Sequence, residues 1–370
     1  MLKQGHVGNL EMFVLISIYT SVLYFYSLPA ILGEKVATGA WILNILLGVG
    51  GFLFFLPLGF LLKRFPGRSI VEIAGDVLSG PGRISVMVAI ASFYLLEAAM
   101  FARTLAGSLT TTVLPHTPTS ANLAMIFIVG GMLSYVGFEA ITRTALIFSP
   151  FILGGMLLIA FLVLPDVNTT ALYPLLGASL QQHAVAAFQF TPVVHEVLFV
   201  GVVAPYLRQG RSPLGTVFWA LALATVVTTF VVIVIELSFP FPGFEFVPYP
   251  MLQVAKMVRI GRFIERIEAL FLIMALVAIL IQFSMVLHNG ILSLAQGLKL
   301  ADWRPLIFPW VIIGYALAFI PHSGRDVEFF VYSIWNGIIF LSVGTLLPLA
   351  LYLMALIRGK KGAVTVGKSN

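Results

Sequence analysis

The chain has 370 residues, of which 60% are hydrophobic and only 10% are charged, whereas soluble domains carry roughly 25% charged residues. So few charges cannot cover the surface of a water-soluble protein of this size, and the composition excludes that class. The charges cluster between long apolar runs, which suits a bilayer, where each spanning helix needs about 20 apolar residues. Because the chain contains no cysteine, disulfides and thiolate metal sites are also excluded.

Ten apolar stretches are predicted to cross the membrane as helices, since the alternation typical of membrane barrels is missing. In chain order, and numbered here as spans 1 to 10, they are Leu10–Leu32, Trp41–Leu62, Ile84–Val113, Ala121–Phe138, Ala145–Pro165, Ala184–Leu207, Leu214–Leu237, Ala269–Leu287, Pro305–Pro321 and Phe329–Ile357. Span 1 is long for a signal-peptide core and no small-residue cleavage site follows it, so we expect it to be retained.

The distribution of positive charge predicts the orientation of these spans. An even number of spans places both termini on one side, and lysine and arginine concentrate in the connections on that side, as at Lys63, Arg64, Arg208 and Arg358. The positive-inside rule therefore predicts cytoplasmic termini. The net charge of +6 is explained by this bias, and nucleic acid is not expected as a partner.

Two matched turns indicate an internal repeat. Phe65-Pro66-Gly67 follows span 2 and Phe241-Pro242-Gly243 follows span 7, and each turn precedes an amphipathic segment. Pro29 in span 1 and Pro205 in span 6 are separated by the same number of residues. The expected architecture is a single transmembrane domain built as a five-plus-five inverted repeat. Its halves are predicted at residues 1–165 and 178–357, with a cytoplasmic tail at 358–370.

Polar residues inside the spans indicate where a solute binds. A charged residue at the centre of a span costs about 2.5–3.5 kcal/mol on insertion scales, so Glu97 in span 3 and His195-Glu196 in span 6 are expected to face the interior. Pro192 lies in the middle of span 6, where it removes a backbone donor, and span 6 is therefore predicted to be broken. The segment Tyr19–Val22 is the predicted counterpart in span 1.

Broken helices present N–H dipoles to a carboxylate and carbonyl groups to an ammonium, so this geometry suits an amino acid. The predicted substrate-binding residues are Tyr19, Thr20, Ser21, Glu97, Phe101, Phe190, Thr191, His195 and Glu196. Simpler interpretations remain at this point. In these interpretations Pro192 only kinks the helix, Thr20 and Ser21 bond to carbonyls one turn back, and Glu97 is a structural carboxyl group. Arg103 paired with Glu268 or Glu236 is a further alternative.

Signatures of catalysis are missing from the sequence. It contains no glycine-rich phosphate loop, no His-Glu-x-x-His and no Gly-x-Ser-x-Gly. We therefore expect neither enzymatic activity nor a cofactor.

Several segments resemble the spore-germination permeases, the integral-membrane B subunits of bacterial nutrient germinant receptors. They are the run 63–67 (Lys-Arg-Phe-Pro-Gly) with Ile70-Val71-Glu72, Trp41 shortly after Pro29, and Tyr249-Pro250 followed by 261–266 (Gly-Arg-Phe-Ile-Glu-Arg). The resemblance extends from about Asn9 to Ile357. It implies membership of the amino acid–polyamine–organocation superfamily and the LeuT-type fold, with spans 1 and 6 broken around a central amino-acid site.

By this resemblance the protein is expected to bind a small nutrient, an amino acid, and to trigger germination from the inner membrane of the spore. A second membrane subunit and a lipoprotein are the implied partners. Two departures stand out: the segment Tyr19–Val22 has no glycine, and span 5 carries no charge, whereas some transporters of the superfamily have a lysine there. The alternative function is a stand-alone proton- or sodium-coupled amino-acid transporter.

Overall fold

The computed structural model describes residues 6–191, 197–208, 213–258, 267–322, 326–327 and 330–362. Within these residues the chain is helical, apart from an isolated parallel bridge between Val7 and Leu207. Seven helical stretches in this part are long and apolar enough to cross a membrane, and two shorter apolar helices accompany them. The long stretches are Leu28–Arg64, Ile70–Thr112, Thr119–Val136, Phe138–Asp166, Pro213–Ser238, Ile267–Gly297 and Gly337–Ile357, and the shorter ones are Asn9–Phe25 and Arg304–Leu317.

These nine stretches account for nine of the ten predicted spans, and the short helices Leu180–Phe190 and Phe199–Val203 account for span 6. The α-helices are α1 (Asn9–Ser21), α2 (Leu28–Val36), α3 (Ala40–Arg64), α4 (Ile70–Thr112), α5 (Thr119–Val136), α6 (Phe138–Val163), α7 (Leu180–Phe190), α8 (Phe199–Val203), α9 (Pro213–Ser238), α10 (Pro250–Met257), α11 (Ile267–Gly297), α12 (Ile307–Leu317) and α13 (Leu347–Ile357). A π-helix, Phe330–Leu346, leads into α13. Helices α1 and α2 form the broken span 1, and α7 and α8 form the broken span 6.

The break in span 1 lies later than the sequence suggested. Helix α1 continues to Ser21, a 3₁₀ segment covers Val22–Phe25, and α2 begins at Leu28. Pro29 lies in the first turn of α2, where it has no N–H to donate to the carbonyl of Phe25. The prediction of a break at 19–22 was therefore wrong by about one turn, because the proline determines where the helix is interrupted.

Two further boundaries differ from the prediction. Helix α6 begins at Phe138 rather than Ala145, so Arg143 lies inside the helix and pairs with Glu139 one turn earlier. Helix α11 runs to Gly297 rather than Leu287, adding a segment that contains His288. In both cases the helix extends into polar sequence. In α11 the added polar side chains are buried against protein.

The two Phe-Pro-Gly turns lie at opposite ends of the bundle, as an inverted repeat requires. The first follows α3, whose Arg64 carbonyl accepts a hydrogen bond of 3.1 Å from the Gly362 amide in the tail. After the second, the ring of Phe244 packs so closely on Gly33 of α2 that a Cβ there would lie 1.9 Å from it. The first amphipathic segment begins with a capping box between Ser69 and Glu72.

At the end of the bundle far from the termini, a group of contacts joins the two repeats; we call Thr38, Gly39, Gly177, His183 and Glu236 the outer cluster. The Gly39 carbonyl lies 3.3 Å from Nε2 of His183. Oε1 of Glu236 accepts a hydrogen bond of 3.0 Å from the Ala40 amide at the start of α3. Glu236 thus supplies the acceptor that this helix start lacks.

Arg103 takes no part in the ion pair considered from the sequence. Its guanidinium donates to the carbonyl of His322, at 2.9 Å, while Glu236 is occupied in the outer cluster. The pairing of Arg103 with Glu236 is therefore wrong.

At the opposite end, the segment 358–362 folds back onto the first repeat. Arg64 donates to the Lys360 carbonyl at 2.7 Å, and the side chains of Arg358 and Lys360 donate to the carbonyls of Val77 and Asp76. These carbonyls end the amphipathic part of α4, where cationic groups are favourable. The helix then bends at Ser79, whose φ is 78° and ψ is −173°.

Candidate functional site

The interrupted backbone of span 1 faces a cluster of aromatic rings from α4, α5 and α11. The ring centroid of Tyr26 lies 6.0 Å from that of Phe101 on α4, edge to face. Phe101 is nearly parallel to Phe283 of α11 at 6.2 Å, and Phe283 meets Phe127 of α5 at 5.2 Å. The break is therefore held against a rigid apolar surface. Such pairs contribute about 0.5–1.5 kcal/mol each beyond the area that they bury.

Tyr26 brings an unused polar group to this apolar site. Its backbone is extended, with φ −98° and ψ −152°, and only 7% of the residue is exposed. The hydroxyl is buried and makes no hydrogen bond to any described residue. Leaving such a group unsatisfied costs roughly 1–3 kcal/mol, so a solute that accepts a hydrogen bond from this hydroxyl removes that cost on binding.

A small pocket of about 160 Å³ lies beside the break. It is formed by the end of α4, the first part of α11 and the start of α10. Tyr26 lines it, together with Ser108 and Tyr249. Leu105 of α4 and Ile279 of α11 line the inner end of the pocket. Each lies one helical turn from one ring of the stacked pair Phe101 and Phe283, so the two rings close that end. The volume is below the range of about 300–1,000 Å³ that drug-sized ligands occupy, and only a small solute fits.

Of the residues that the sequence proposed, Phe101 lies directly at the break. Glu97 precedes it by one turn on the same face of α4 and is 9% exposed. Tyr19 is buried on α1, and its ring centroid lies 5.4 Å from that of Phe199 on α8, so spans 1 and 6 meet there.

The hydroxyl residues of α1 divide into two kinds. Ser21 donates to the Ser17 carbonyl at 2.7 Å, one turn back, as the simpler interpretation held. The Thr20 hydroxyl is buried and has no hydrogen-bond partner among the described residues. Thr20 is thus the one of these two that retains a free donor.

The predicted residues of span 6 are only partly visible. Phe190 ends α7 and is buried. Thr191 donates to the Ala187 carbonyl at 2.6 Å, and its side chain faces Gly50 of α3. Pro192, His195 and Glu196 lie outside the described residues, so their predicted roles stay predictions.

A buried hydrogen-bond network connects the break to the neighbouring helices. The Tyr24 hydroxyl donates to Oδ1 of Asn44 on α3. The amide nitrogen of Asn44 donates to the hydroxyls of Thr228 and Thr229 on α9, at 3.1 and 2.8 Å. Asn44 is only 1% exposed, so these bonds form in a low-dielectric interior, where they fix the break firmly to α3 and α9.

Sequence reasoning missed the polar face of α11. Gln282, Asn289 and Gln296 recur every seven residues, so they share one face of the helix, and all three are buried. Both polar atoms of the Asn289 side chain have no hydrogen-bond partner among the described residues. The available signal was amide side chains at heptad spacing within an apolar run. Ending span 8 at Leu287 removed two of the three from consideration.

The fold is similar to those of solved membrane transporters. A nucleobase-cation-symport-1 family transporter, in a closed conformation with bromovinylhydantoin bound, aligns with 13% identity and a TM-score of 0.67, over 95% of this chain and 92% of that one. A Na⁺-coupled sialic acid symporter in a substrate-bound outward-open state aligns with 14% identity and a TM-score of 0.62, over 95% of this chain and 78% of that one. MhsT in complex with L-phenylalanine aligns with 14% identity and a TM-score of 0.62, over 96% of this chain and 99% of that one. These similarities confirm the LeuT-type fold.

Sequence comparison adds the family. No curated protein sequence matches this chain. The family model described as "Spore germination protein" matches residues 6–327, which includes the segments 63–72 and 249–266 that carried the resemblance. The match covers most of the chain and includes spans 1 to 9, and the chain therefore belongs to the spore germination protein family.

Proposed function

We propose that this protein is the membrane subunit of a germinant receptor that binds a small nutrient, an amino acid, and triggers germination together with partner subunits. The observation that carries the proposal is the family match over residues 6–327, combined with a broken span 1 that holds a buried, unbonded hydroxyl beside a small pocket. In this proposal the protein lies in the inner membrane of the spore with both termini in the cytoplasm.

An amino acid suits this site for two reasons. The Tyr26 hydroxyl can donate to a carboxylate, and the carbonyl of Phe25, which Pro29 leaves without a backbone donor, can accept from an ammonium. The pocket of about 160 Å³ limits the side chain of the ligand. The structural similarity to MhsT in complex with L-phenylalanine is in keeping with this class of ligand.

The partners would carry the signal. We propose a second membrane subunit and a lipoprotein as these partners, in line with the family. The alternative, a stand-alone proton- or sodium-coupled amino-acid transporter, is favoured by the Na⁺-coupled symporter among the structural relatives. Against it, α6 carries no charge after Arg143, which pairs with Glu139 in the first turns of the helix, so its remaining length offers no group for proton coupling.

Uptake measurements distinguish the two functions. The purified chain in proteoliposomes is expected to bind amino acids, detected by ligand-dependent thermal stabilisation, but not to concentrate them, because a receptor requires occupancy rather than net flux. Radiolabelled amino acids would be assayed with an inward proton gradient, an inward sodium gradient and neither. Gradient-dependent accumulation by this chain alone would establish the transporter instead.

Tyr26→Phe tests the binding site directly. Because it removes one buried donor and keeps the ring against Phe101, we expect folding to be unchanged and the affinity for the amino acid to fall by about tenfold, which corresponds to about 1.4 kcal/mol. Tyr315→Phe is the control, since its hydroxyl bonds to the Ser120 carbonyl at 3.4 Å and Tyr315 does not line the pocket. Equal affinities of both variants and the unmodified protein would remove Tyr26 from the site.

A further inference from the structure

A second cavity, of about 820 Å³, opens at the end of the bundle that carries residue 6 and the 358–362 segment. It lies between the first part of α4, the last turn of α11 and Tyr206. The pocket beside the break lies at the other end of both α4 and α11. Its volume falls within the range of about 300–1,000 Å³ typical of small-molecule sites.

The cavity is lined by three cationic side chains and two acidic ones, which leaves a positive balance. Its two acids are engaged: Asp76 lies 4.0 Å from Arg68, and Glu72 accepts a hydrogen bond of 3.0 Å from the Ser69 amide. Arg83 and Lys299 also line the cavity, and within the part of the chain that the structure describes neither forms an ion pair.

Two residues of the lining carry buried polar atoms that have no partner among the described residues. Nε of Arg83 is buried and makes no hydrogen bond to a described residue, and the stem of Arg83 rests against Gly75. Gln296 is 7% exposed. Its nitrogen donates to the Val202 carbonyl at 2.9 Å, while its oxygen accepts no hydrogen bond from the described residues. The cavity therefore offers a cationic side and an acceptor.

Lys299, which lines this cavity, has a strained backbone. Leu300 donates to the Ala295 carbonyl and Lys299 to that of Gln296, at 2.9 and 3.3 Å, which is the Schellman pattern at the end of a helix. Lys299 occupies the left-handed position of this motif, with φ 56°, where glycine is usual. Strain of this kind is often retained where a side chain holds a ligand.

We propose that this cavity binds a small soluble organic anion, whose carboxylate or phosphate group is held by Arg83 and Lys299. The free oxygen of Gln296 accepts a hydrogen bond from a hydroxyl or amine of the same molecule. Charged groups line both sides of the cavity, from Arg83 on α4 to Lys299 after α11, which suits a small anion better than an uncharged solute. The argument does not depend on the amino-acid site, since the two cavities share no lining residue.

Cysteine protection tests this proposal, because the chain has no cysteine of its own. Gly80 lines the cavity and has open space where a side chain would point, so Gly80→Cys places a thiol inside it. The labelling rate with N-ethylmaleimide would be measured in phosphatidylcholine nanodiscs with inorganic phosphate, citrate or ATP at constant ionic strength. At least one anion is expected to slow labelling by a factor that rises with its concentration, as one plus concentration over Kd.

Three variants and one control make the result decisive. In the Gly80→Cys background, Lys299→Gly should abolish protection while raising the thermal stability, because it removes the cation and the strain together. Arg83→Gln should also abolish protection, whereas Lys299→Arg should keep it. Gly215→Cys, at the exposed start of α9 with open space around it, should label at the same rate with and without each anion.

The proposal fails if none of the three anions slows labelling of Gly80→Cys. It also fails if protection survives in both Lys299→Gly and Arg83→Gln. Protection that appears only when phosphatidylglycerol is included in the nanodisc would overturn it in favour of a lipid headgroup.

Discussion

Gly177→Ala is expected to destabilise the protein by roughly 3–5 kcal/mol, at the upper end of single substitutions. Gly177 has φ +60°, which costs alanine about 1–2 kcal/mol. In addition, its Cβ would lie 2.3 Å from the Val36 carbonyl oxygen and 2.4 Å from the Gly39 nitrogen. Both are backbone atoms, so the two segments must move apart and the bonds of the outer cluster stretch.

The matched control is Gly359→Ala. Gly359 has φ +63° but nothing within 4 Å of its Cβ position, so it reports the backbone strain alone, about 1 kcal/mol. Thermal unfolding of both variants in detergent, followed by circular dichroism, separates strain from steric overlap. If Gly177→Ala were no less stable than Gly359→Ala, the close packing of the outer cluster would be refuted.

Asn44→Leu is expected to lower stability by about 2–4 kcal/mol and to weaken the response to the ligand. The substitution keeps the approximate volume of the side chain but removes the acceptor of Tyr24 and the donor to Thr228 and Thr229. A buried polar group left unsatisfied costs about 1–3 kcal/mol. Because the break is no longer fixed to α3 and α9, the conformation that binds the ligand becomes less populated and the apparent affinity falls.

A double-mutant cycle with Tyr24→Phe shows whether the effect runs through the break. If it does, Tyr24→Phe should destabilise the unmodified protein and add almost nothing to Asn44→Leu, giving a coupling energy of about 0.5–3 kcal/mol. Additive effects in the cycle would mean that Asn44 supports α3 and α9 only.

Much of this fold could be predicted from the sequence because a bilayer imposes long apolar helices and leaves few alternatives. The ten spans, the two opposed Phe-Pro-Gly turns and the interruptions in spans 1 and 6 follow from that constraint. The boundaries at Arg143 and Leu287 were misjudged for one reason. Polar residues were taken as the ends of helices. In α6 the exposed Arg143 continues the helix and pairs with Glu139, and in α11 the polar residues after Leu287 continue it because neighbouring protein buries them.

The candidate site was harder to predict than the fold. Phe101 was included because of its place in span 3. The role of Tyr26 depends on where Pro29 interrupts the helix, and the hydroxyl-rich segment of span 1 does not reveal that position. The contribution of Asn44 depends on Thr228 and Thr229, nearly 200 positions away in the chain. Contacts at such separation arise from the packing of helices, and a single sequence does not encode them in a readable pattern.

The return of the 358–362 segment to Arg64, Val77 and Asp76 has a consequence for biogenesis. Helices of a membrane protein enter the bilayer as they emerge from the ribosome, so α3 and the first part of α4 exist long before their last partners are made. Until then, the carbonyls at the end of the amphipathic segment must be satisfied by water or by lipid headgroups. A segment synthesised after the last helix thus closes the contacts of an early one, and without residues 358–362 these contacts of the first repeat would stay open.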